Sequence, residues 1–406
     1  MLSTSATASL PVPQGAWSSP QRRNLAGACL AHILHDGYTD QLYVLLPVWQ
    51  SDFGLSYASL AVVRALYYGT MGGLQVPGSR LIARLGTRAA LALATFVAAA
   101  GYLVMALPCG FAGLCAGLIL AGIGSSVQHP RASLLVSNSF GKASRGPLGI
   151  YNFAGDLGKA TFPAVLALLL LIVAWRPAVG IMALVGLAVA VALLAVVPRR
   201  PFVAPVEEQS TAKRRGARGF GLLLTIGALD TATRMGYLLF LPFLLHTRGG
   251  TEAVVGLGLA LLFLGGALGK AACGWLGQHL GVVWSVIATE VATALLITAT
   301  LILPLTPMLA VLPLLGIVLN GTSSVLYGTV PDLAPKGDIG RGFALFYTGV
   351  IGAGGLAPIA YGVIADHSNR TVGILAAALT AVVIVPLVLA LRPTLMNERD
   401  ALSAMH

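Results

Sequence analysis

The feature that most constrains this chain is a series of apolar stretches that recur from Leu25 almost to the C-terminus. A helix of about 20 apolar residues spans the hydrocarbon layer of a bilayer, and these stretches reach that length. Only 10% of the 406 residues are charged, whereas a soluble domain carries about 25%. The sequence therefore predicts an all-α membrane protein for which the lipid bilayer is the main solvent.

Short polar clusters divide the apolar stretches into twelve predicted transmembrane helices in two groups of six. Lys and Arg concentrate on alternate connections, which the positive-inside rule places in the cytoplasm. We therefore expect a multi-pass protein of the cell inner (cytoplasmic) membrane with both termini cytoplasmic, and we attribute the net charge of +11 to topology rather than to a nucleic-acid partner. The predicted organisation is a cytoplasmic tail at 1–24, a six-helix bundle at 25–198, a cytoplasmic linker at 199–219, a six-helix bundle at 220–392 and a cytoplasmic tail at 393–406.

The two groups of helices resemble each other at an offset of about 195 residues, which indicates an internal repeat. Because six is an even number, both halves run in the same direction and are related by an axis along the membrane normal. The predicted fold is two parallel six-helix repeats with a central cavity between them. The matching positions are 124–127 with 322–325, Pro47 with Pro242, and Gly54 with Gly249.

Two motifs resemble those of a known family. The first predicted helix contains Ala-His-Ile-Leu-His-Asp at 31–36, followed by Leu45, Pro47 and Gln50, and the fourth ends in Gly-Ser-Ser-Val-Gln-His-Pro at 124–130. With twelve spans and two parallel halves, the chain resembles the major facilitator superfamily, and these motifs resemble its fosmidomycin-resistance group of efflux proteins. The resemblance implies the major facilitator fold and secondary active transport by alternating access.

The loop between the second and third predicted helices departs from the superfamily pattern. Ala83 stands where the family has an acidic residue, although Arg84, Gly86 and Arg88 are retained.

The fourth predicted helix ends in a proline, whose freed carbonyl needs a neighbouring donor, so this end is interpreted either as a gate hinge or as a plain kink. The predicted gating residues are Arg84, Arg88, His129, Pro130 and Arg131.

Ionisable residues in the first predicted helix indicate a proton-coupling site. His32, Asp36 and Asp40 repeat every four residues and share one face of a helix. Two carboxylates one turn apart and away from water do not both ionise easily, so one of them is able to exchange a proton. We predict that these three residues couple transport to protons; the alternative is that both carboxylates only hydrogen-bond neighbouring helices.

Further charges inside predicted spans indicate where a substrate binds. Asp156 and Lys159 are three residues apart and Asp230 and Arg234 are four apart, so each pair either forms an ion pair within its helix or faces the cavity. Unpaired cations in the cavity would favour an anionic substrate. Arg131 and Lys270 either reach the cavity or lie near the cytoplasmic face. The predicted substrate-binding residues are His35, Tyr43, Arg64, Tyr151, Asp156, Lys159, Asp230, Arg234 and Tyr347.

These features predict a monomeric secondary transporter that exports a small amphipathic or anionic compound in exchange for protons. No cofactor, metal or catalytic residue is expected, and the chain contains no Gly-x-x-x-x-Gly-Lys-Ser/Thr phosphate-binding loop. The same residues are also consistent with proton-coupled uptake of an organic anion. A third hypothesis, from a different class, is an integral-membrane enzyme with a metal bound by His32, His35, Asp36 and Asp40.

Overall fold

The computed structural model describes the chain as a bundle of helices, with no strand among the described residues. The described residues are 17–82, 84–199, 217–334 and 339–403. The predicted terminal tails and linker lie partly outside these ranges, and Ala83 lies outside them.

The first half of the chain forms seven helices and one short 3₁₀ turn at Gly141–Ala143. The first helix begins inside the predicted tail because Ser18 and Gln21 form a capping box, and it ends where Gly54 adopts a left-handed conformation with φ of 64°. The helices are α1 (Ser19–Phe53), α2 (Tyr57–Gly73), α3 (Gln75–Leu81), α4 (Thr87–Ala106), α5 (Gly110–Phe140), α6 (Arg145–Leu169) and α7 (Trp175–Val196).

The second half forms five helices, one of which has two arms. Gly281 interrupts α9 with φ of 76° and ψ of 166°, a conformation open essentially to glycine alone. The arms Glu252–Lys270 and His279–Ile302 are each long and apolar enough to span a membrane. The helices are α8 (Ala217–Thr247), α9 (Glu252–Ile302), α10 (Leu305–Leu333), α11 (Ile339–His367) and α12 (Arg370–Ser403).

Twelve crossings follow if α3 is counted as a short continuation of α2 and α9 is counted twice, which agrees with the predicted fold. Eight segments among the described residues are long and apolar enough to span by themselves. The other four crossings are α1, α2, α6 and α8. The helix α2 has only 17 residues, and the other three carry buried Asp residues that lower their hydropathy. The least apolar helices are therefore those that bring polar groups to the centre.

The bundle has two faces, which we name by their connections. The linker face contains the end of α7 at Val196 and the start of α8 at Ala217. The opposite face contains the short connections that follow α1, α4, α6, α8, α11 and the second arm of α9. Because each half crosses an even number of times, the described start of α1 and end of α12 also lie at the linker face.

The two halves are joined tightly near the opposite face. The Asp366 carboxylate of α11 accepts hydrogen bonds of 2.9 Å from the backbone N–H groups of Tyr57 and Ala58, and so caps the start of α2. A Cβ placed on Gly362 would lie 2.7 Å from Ala58 Cα. This close approach of α2 and α11 requires glycine, and the contact closes the opposite face on this side of the bundle.

A second close crossing joins α6 and α9. A Cβ on Gly256 would lie 2.4 Å from Ala167 Cβ, so these helices also meet through a glycine. Residues toward the linker face are more open, since the His129 side chain is 32% exposed and Tyr347 is 46% exposed. The described conformation is closed at the opposite face.

Gly281→Ala should lower the stability of the fold. A Cβ at this φ and ψ costs about 1–3 kcal/mol, so we expect the apparent melting temperature in detergent to fall by several degrees. Gly328→Ala is the matched control, because Gly328 lies within α10 and nothing lies within 4 Å of a Cβ placed there. Equal melting temperatures for the two variants would show that the break in α9 does not require glycine.

Candidate functional site

Three protonatable side chains converge on the Asp36 carboxylate in the middle of α1. Its Oδ2 lies 3.2 Å from His32 Nε2 and 3.3 Å from Lys159 Nζ, and its Oδ1 lies 3.4 Å from His129 Nε2. Asp36 is only 6% exposed. A carboxylate this deeply buried requires such partners because its desolvation is costly. The predicted coupling residues His32 and Asp36 are therefore in direct contact, joined by residues of α5 and α6.

The orientation of His32 determines which of its ring nitrogens faces Asp36. Its Nδ1 lies 2.8 Å from the carbonyl oxygen of Tyr151, so Nδ1 carries the donated proton because a carbonyl can only accept. The ring also stacks on the Tyr151 ring at 4.0 Å, which fixes its position. Nε2 then faces Asp36 Oδ2, and this contact is a hydrogen bond only if a further proton lies on Nε2 or on the carboxyl.

A second buried carboxylate connects this cluster to the other half of the protein. Lys270 Nζ of α9 lies 2.5 Å and 2.8 Å from the two carboxylate oxygens of Asp156 in α6. Lys159 Nζ lies 3.8 Å from Asp156 Oδ1, so the ion pair that sequence spacing allowed is present but is longer than the contact of Lys159 with Asp36. Asp36, Lys159, Asp156 and Lys270 form a row of alternating charges, which we call the charge row.

His35 lies apart from the charge row. Its Nδ1 is 2.9 Å from Ser125 Oγ and its Nε2 is 3.1 Å from Thr95 Oγ1, and the residue is 1% exposed. Both ring nitrogens therefore bind hydroxyls of α4 and α5 within the first half. The prediction that His35 binds substrate gains no support from this position.

A related arrangement occurs in the second half, where the Asp230 carboxyl of α8 lies within hydrogen-bonding reach of the Glu290 carboxyl of α9. The sequence interpretation missed Glu290. The offset of about 195 residues that relates Pro47 to Pro242 also relates His35 to Asp230 and Thr95 to Glu290. A comparison of the polar residues at related positions of the two halves would have identified Glu290. A hydrogen bond between two carboxyls requires that one of them carry a proton.

Arg64 of α2 occupies an aromatic cage between the two halves. Its guanidinium carbon lies 4.6 Å from the Tyr43 ring centroid and 4.8 Å from that of Tyr68. Its terminal nitrogens reach Met235 Sδ at 3.3 Å and the Gly354 carbonyl at 3.5 Å. Arg64 is 2% exposed, and within the described part of the chain no carboxylate lies within 4.0 Å of it.

Arg234 and Asp40 complete the charged centre. Arg234 Nη1 donates to Asn320 Oδ1 at 3.2 Å. Among the described side chains no guanidinium nitrogen of Arg234 lies within 4.0 Å of the Asp230 carboxylate, so the intrahelical ion pair that spacing allowed is not formed. Asp40 is 5% exposed, and the positive charges of Lys159, Arg64 and Arg234 act on its carboxyl. It has no ion pair within 4.0 Å in the described ranges.

The remaining predicted residues occupy separate places. Tyr151 is 3% exposed and stacks on His32, whereas Tyr347 is exposed and contacts the Tyr327 ring at 4.9 Å.

The predicted gating residues are divided between two places. Arg84 is exposed at the linker face, and Arg88 lines a shallow cavity there with Arg199. Pro130 lies inside α5 next to His129, and Arg131 is partly buried. His129 therefore belongs to the Asp36 cluster, whereas Arg84 and Arg88 lie at the linker face.

The proposed four-residue metal site is not assembled. His32, Asp36 and His129 offer ligand atoms within 4.8 Å of one another. However, His35 binds hydroxyls instead, and the Lys159 ammonium lies 3.3 Å from Asp36 Oδ2, where it would repel a divalent cation. The Lys159 ammonium therefore disfavours a divalent cation at these three ligands.

Removal of the Glu290 carboxyl should destabilise the second half. Glu290→Ala leaves the buried Asp230 without its partner, which costs about 1–3 kcal/mol, so the apparent melting temperature in detergent should fall. Glu290→Gln is the matched control because its amide can still donate to Asp230. A Gln variant as unstable as the Ala variant would show that the hydrogen bond contributes little.

Solved structures share the fold across almost the whole chain. A bacterial homologue of the human lysosomal transporter Spinster, in an inward-facing and unoccupied conformation, matches with a TM-score of 0.73 and 15% identity over 95% of this chain and 99% of that one. A POT family transporter in complex with a thioalcohol-conjugated peptide matches with a TM-score of 0.74 and 14% identity over 92% of this chain and 96% of that one.

Sequence comparisons agree with the structural ones. The chain is 24% identical over 390 residues to the fosmidomycin resistance protein of Escherichia coli (strain K12), covering 88% of this chain and 91% of that protein. It is 27% identical over 128 residues to a probable L-galactonate transporter of the same strain, covering 31% of this chain and 28% of that protein. The profile of the Major Facilitator Superfamily matches residues 28–229 and 223–403, and the chain belongs to this superfamily.

Proposed function

We propose that the protein exports a small amphipathic or anionic compound in exchange for protons by alternating access. The observation that carries this proposal is the buried contact of His32 with Asp36, which becomes a hydrogen bond when it holds a proton in addition to that on His32 Nδ1. The similarity to a fosmidomycin resistance protein supports export, since a membrane transporter confers resistance to a compound by removing it from the cell. Superfamily membership supports transport by movement of the two halves.

The linker face is assigned to the cytoplasm of the cell, and the membrane to the inner (cytoplasmic) membrane. The excess of Lys and Arg on the predicted connections of this face supports the assignment. With this orientation, the conformation closed at the opposite face is the inward-facing one. A single chain contains both halves, so we propose that a monomer is the transporting unit.

In the proposed cycle, Asp36 and His32 take up a proton when the site opens to the opposite face. The site then opens to the linker face, where the proton leaves and the substrate binds. His129 lies 3.4 Å from Asp36 and is 32% exposed, so it is positioned to pass protons between the linker face and the buried carboxylate. Asp40, one turn further along α1, is the third proposed coupling residue.

Two arginines support an anionic group on the substrate. Arg64 and Arg234 come from different halves, and neither has a carboxylate within 4.0 Å among the described side chains. The Nε of each is buried without a hydrogen-bond partner in the described residues. Tyr43 and Tyr68 beside Arg64 offer ring surface together with hydroxyl groups. Such a site suits a compound with one anionic group and an apolar part.

Uptake of an organic anion together with protons is the second candidate function. The same two arginines favour it, because an anion that arrives with a proton adds no net charge to a buried site. The local similarity to a probable L-galactonate transporter also supports it, although that match covers only 28% of the relative. The enzyme hypothesis receives no such support because its four metal ligands do not come together.

Asp36→Asn should abolish substrate-driven proton movement because an amide cannot exchange the coupling proton. The measurement uses purified protein in liposomes that contain a pH-sensitive dye, challenged with phosphonates, organic acids, metal chelates and cationic drugs. Asp52→Asn is the matched control, since Asp52 pairs with Arg176 at the opposite face and should leave the flux unchanged.

The sign of the proton movement separates the two candidate functions. Protons that move against the direction of the compound support exchange, and protons that accompany the compound support uptake. Flux of a compound without proton movement in the wild type would refute proton coupling and leave the superfamily assignment intact.

Arg64→Gln should weaken binding of an anionic substrate selectively. Loss of a buried, charged contact costs about 2–5 kcal/mol, so the half-saturating concentration for an anionic compound should rise by about tenfold or more, while that for a neutral analogue changes little. Arg176→Gln, at the opposite face, is the control. An equal loss for charged and neutral compounds would indicate that Arg64 acts in packing alone.

A further inference from the structure

We infer that Lys159 is a switch through which a proton on Asp36 releases a direct tie between the two halves, and that Asp156 and Lys270 form this tie. The inference rests on the proposed proton coupling at Asp36. It adds Lys270 to the gating residues of the transporter. The sequence alone left open whether Lys270 reaches the cavity or lies near the cytoplasmic face.

The tie is the contact of Asp156 with Lys270. Both carboxylate oxygens of Asp156 lie within 2.8 Å of Lys270 Nζ, and Asp156 is 5% exposed. Asp156 belongs to α6 in the first half, and Lys270 belongs to α9 in the second. The Lys270 side chain is 33% exposed, but the Asp156 carboxylate is buried, and a buried charge is strongly destabilised when its partner is removed. The tie therefore adds an electrostatic contact to the apolar crossing of the same two helices at Gly256.

Lys159 lies between the two carboxylates. Its ammonium is 3.3 Å from Asp36 Oδ2 and 3.8 Å from Asp156 Oδ1, so a small rotation changes its nearer partner. In the described geometry it is closer to Asp36, which leaves Asp156 to Lys270. The titratable and charged groups that face this region are His32, Asp36 and Asp40 on α1, Arg64 on α2, His129 on α5, Tyr151 and Asp156 on α6, Arg234 on α8, Lys270 on α9 and Tyr347 on α11.

A proton on Asp36 changes this balance. The proton arrives from His32 across 3.2 Å or from His129 across 3.4 Å, and it neutralises the carboxylate that holds Lys159. Lys159 then turns to Asp156, where two ammonium groups compete for one carboxylate and repel each other. The contact with Lys270 weakens, and α6 and α9 are free to separate.

The same geometry prevents movement of the empty carrier. Without a proton on Asp36, Lys159 stays with Asp36 and the tie between the halves stays intact. An anionic substrate that binds Lys159 or Lys270 would also take one ammonium away from the row and weaken the tie. Either ligand alone permits the halves to rock, whereas the carrier without ligand is held, which is the condition for obligatory exchange.

Pulsed electron–electron double resonance, which measures the distance between two spin labels, tests the switch. The labels are placed at Leu171→Cys and Thr251→Cys, two exposed positions that flank the opposite-face ends of α6 and α9, with the four native cysteines replaced by alanine. The full-length protein is reconstituted in lipid nanodiscs without any transported compound. Opening of the opposite face lengthens the distance between the labels.

We expect the fraction of the long distance to grow as the pH falls, because protonation of Asp36 releases the tie. Asp36→Asn should give the long distance at every pH. The double variant Asp36→Asn with Lys159→Gln should return to the short distance, since no ammonium then competes for Asp156. Lys270→Gln should raise the ratio of long to short distance by about tenfold or more, whereas Lys270→Arg, which keeps the charge, should behave as the wild type does.

Two results would overturn the inference. Unchanged distances in Lys270→Gln would show that the tie does not hold the halves together, and Asp156→Asn tests the same contact if that variant does not fold. A long distance that persists in the double variant would show that the effect of Asp36 does not pass through Lys159. These distances are independent of transport, so lost proton flux in Asp36→Asn with unchanged distances would overturn the switch and leave the proposed function standing.

Discussion

The requirement that buried charges be paired inside the bilayer organises this protein. Charge on a membrane-spanning helix is costly unless it faces a partner or a water-filled cavity. Asp36, Lys159, Asp156 and Lys270 meet this requirement by alternating in sign along the charge row. Their helices α1, α6 and α9 must therefore converge at the centre. The more apolar helices, such as α7 and α12, are left to face lipid.

In the proposed switch, the charge row allows a proton on Asp36 to affect the distant contact of Asp156 with Lys270. Lys159 is shared by two carboxylates, so the charge of either one alters the position of its ammonium. A chain of ion pairs with one shared member has two arrangements rather than a continuous range, which is the property that a switch needs. The apolar glycine crossings near the opposite face supply the rest of the contact between the halves but do not respond to protons.

The internal repeat preserves position while the chemistry differs between halves. His35 bonds Ser125 and Thr95 in the first half, and Asp230 bonds Glu290 at the related positions in the second. Both arrangements join the first helix of a half to its third crossing. The first places an imidazole between two hydroxyls, whereas the second brings two carboxyls together. The two halves therefore share the arrangement of their helices but carry different ionisable groups at related positions.

The sequence by itself predicted the twelve crossings, the two parallel halves and most of the intramembrane ionisable residues, although not Glu290, because hydropathy and internal repetition are visible along a single chain. It also placed His32, Asp36 and Asp40 on one helical face, and the contact of His32 with Asp36 agrees with that spacing. Only the tertiary structure decided the partners: Lys270 for Asp156, His129 for Asp36, Asn320 for Arg234 and Glu290 for Asp230. Helical spacing identifies neighbours within one helix, whereas each of these partners lies on another helix and is selected by how the helices pack.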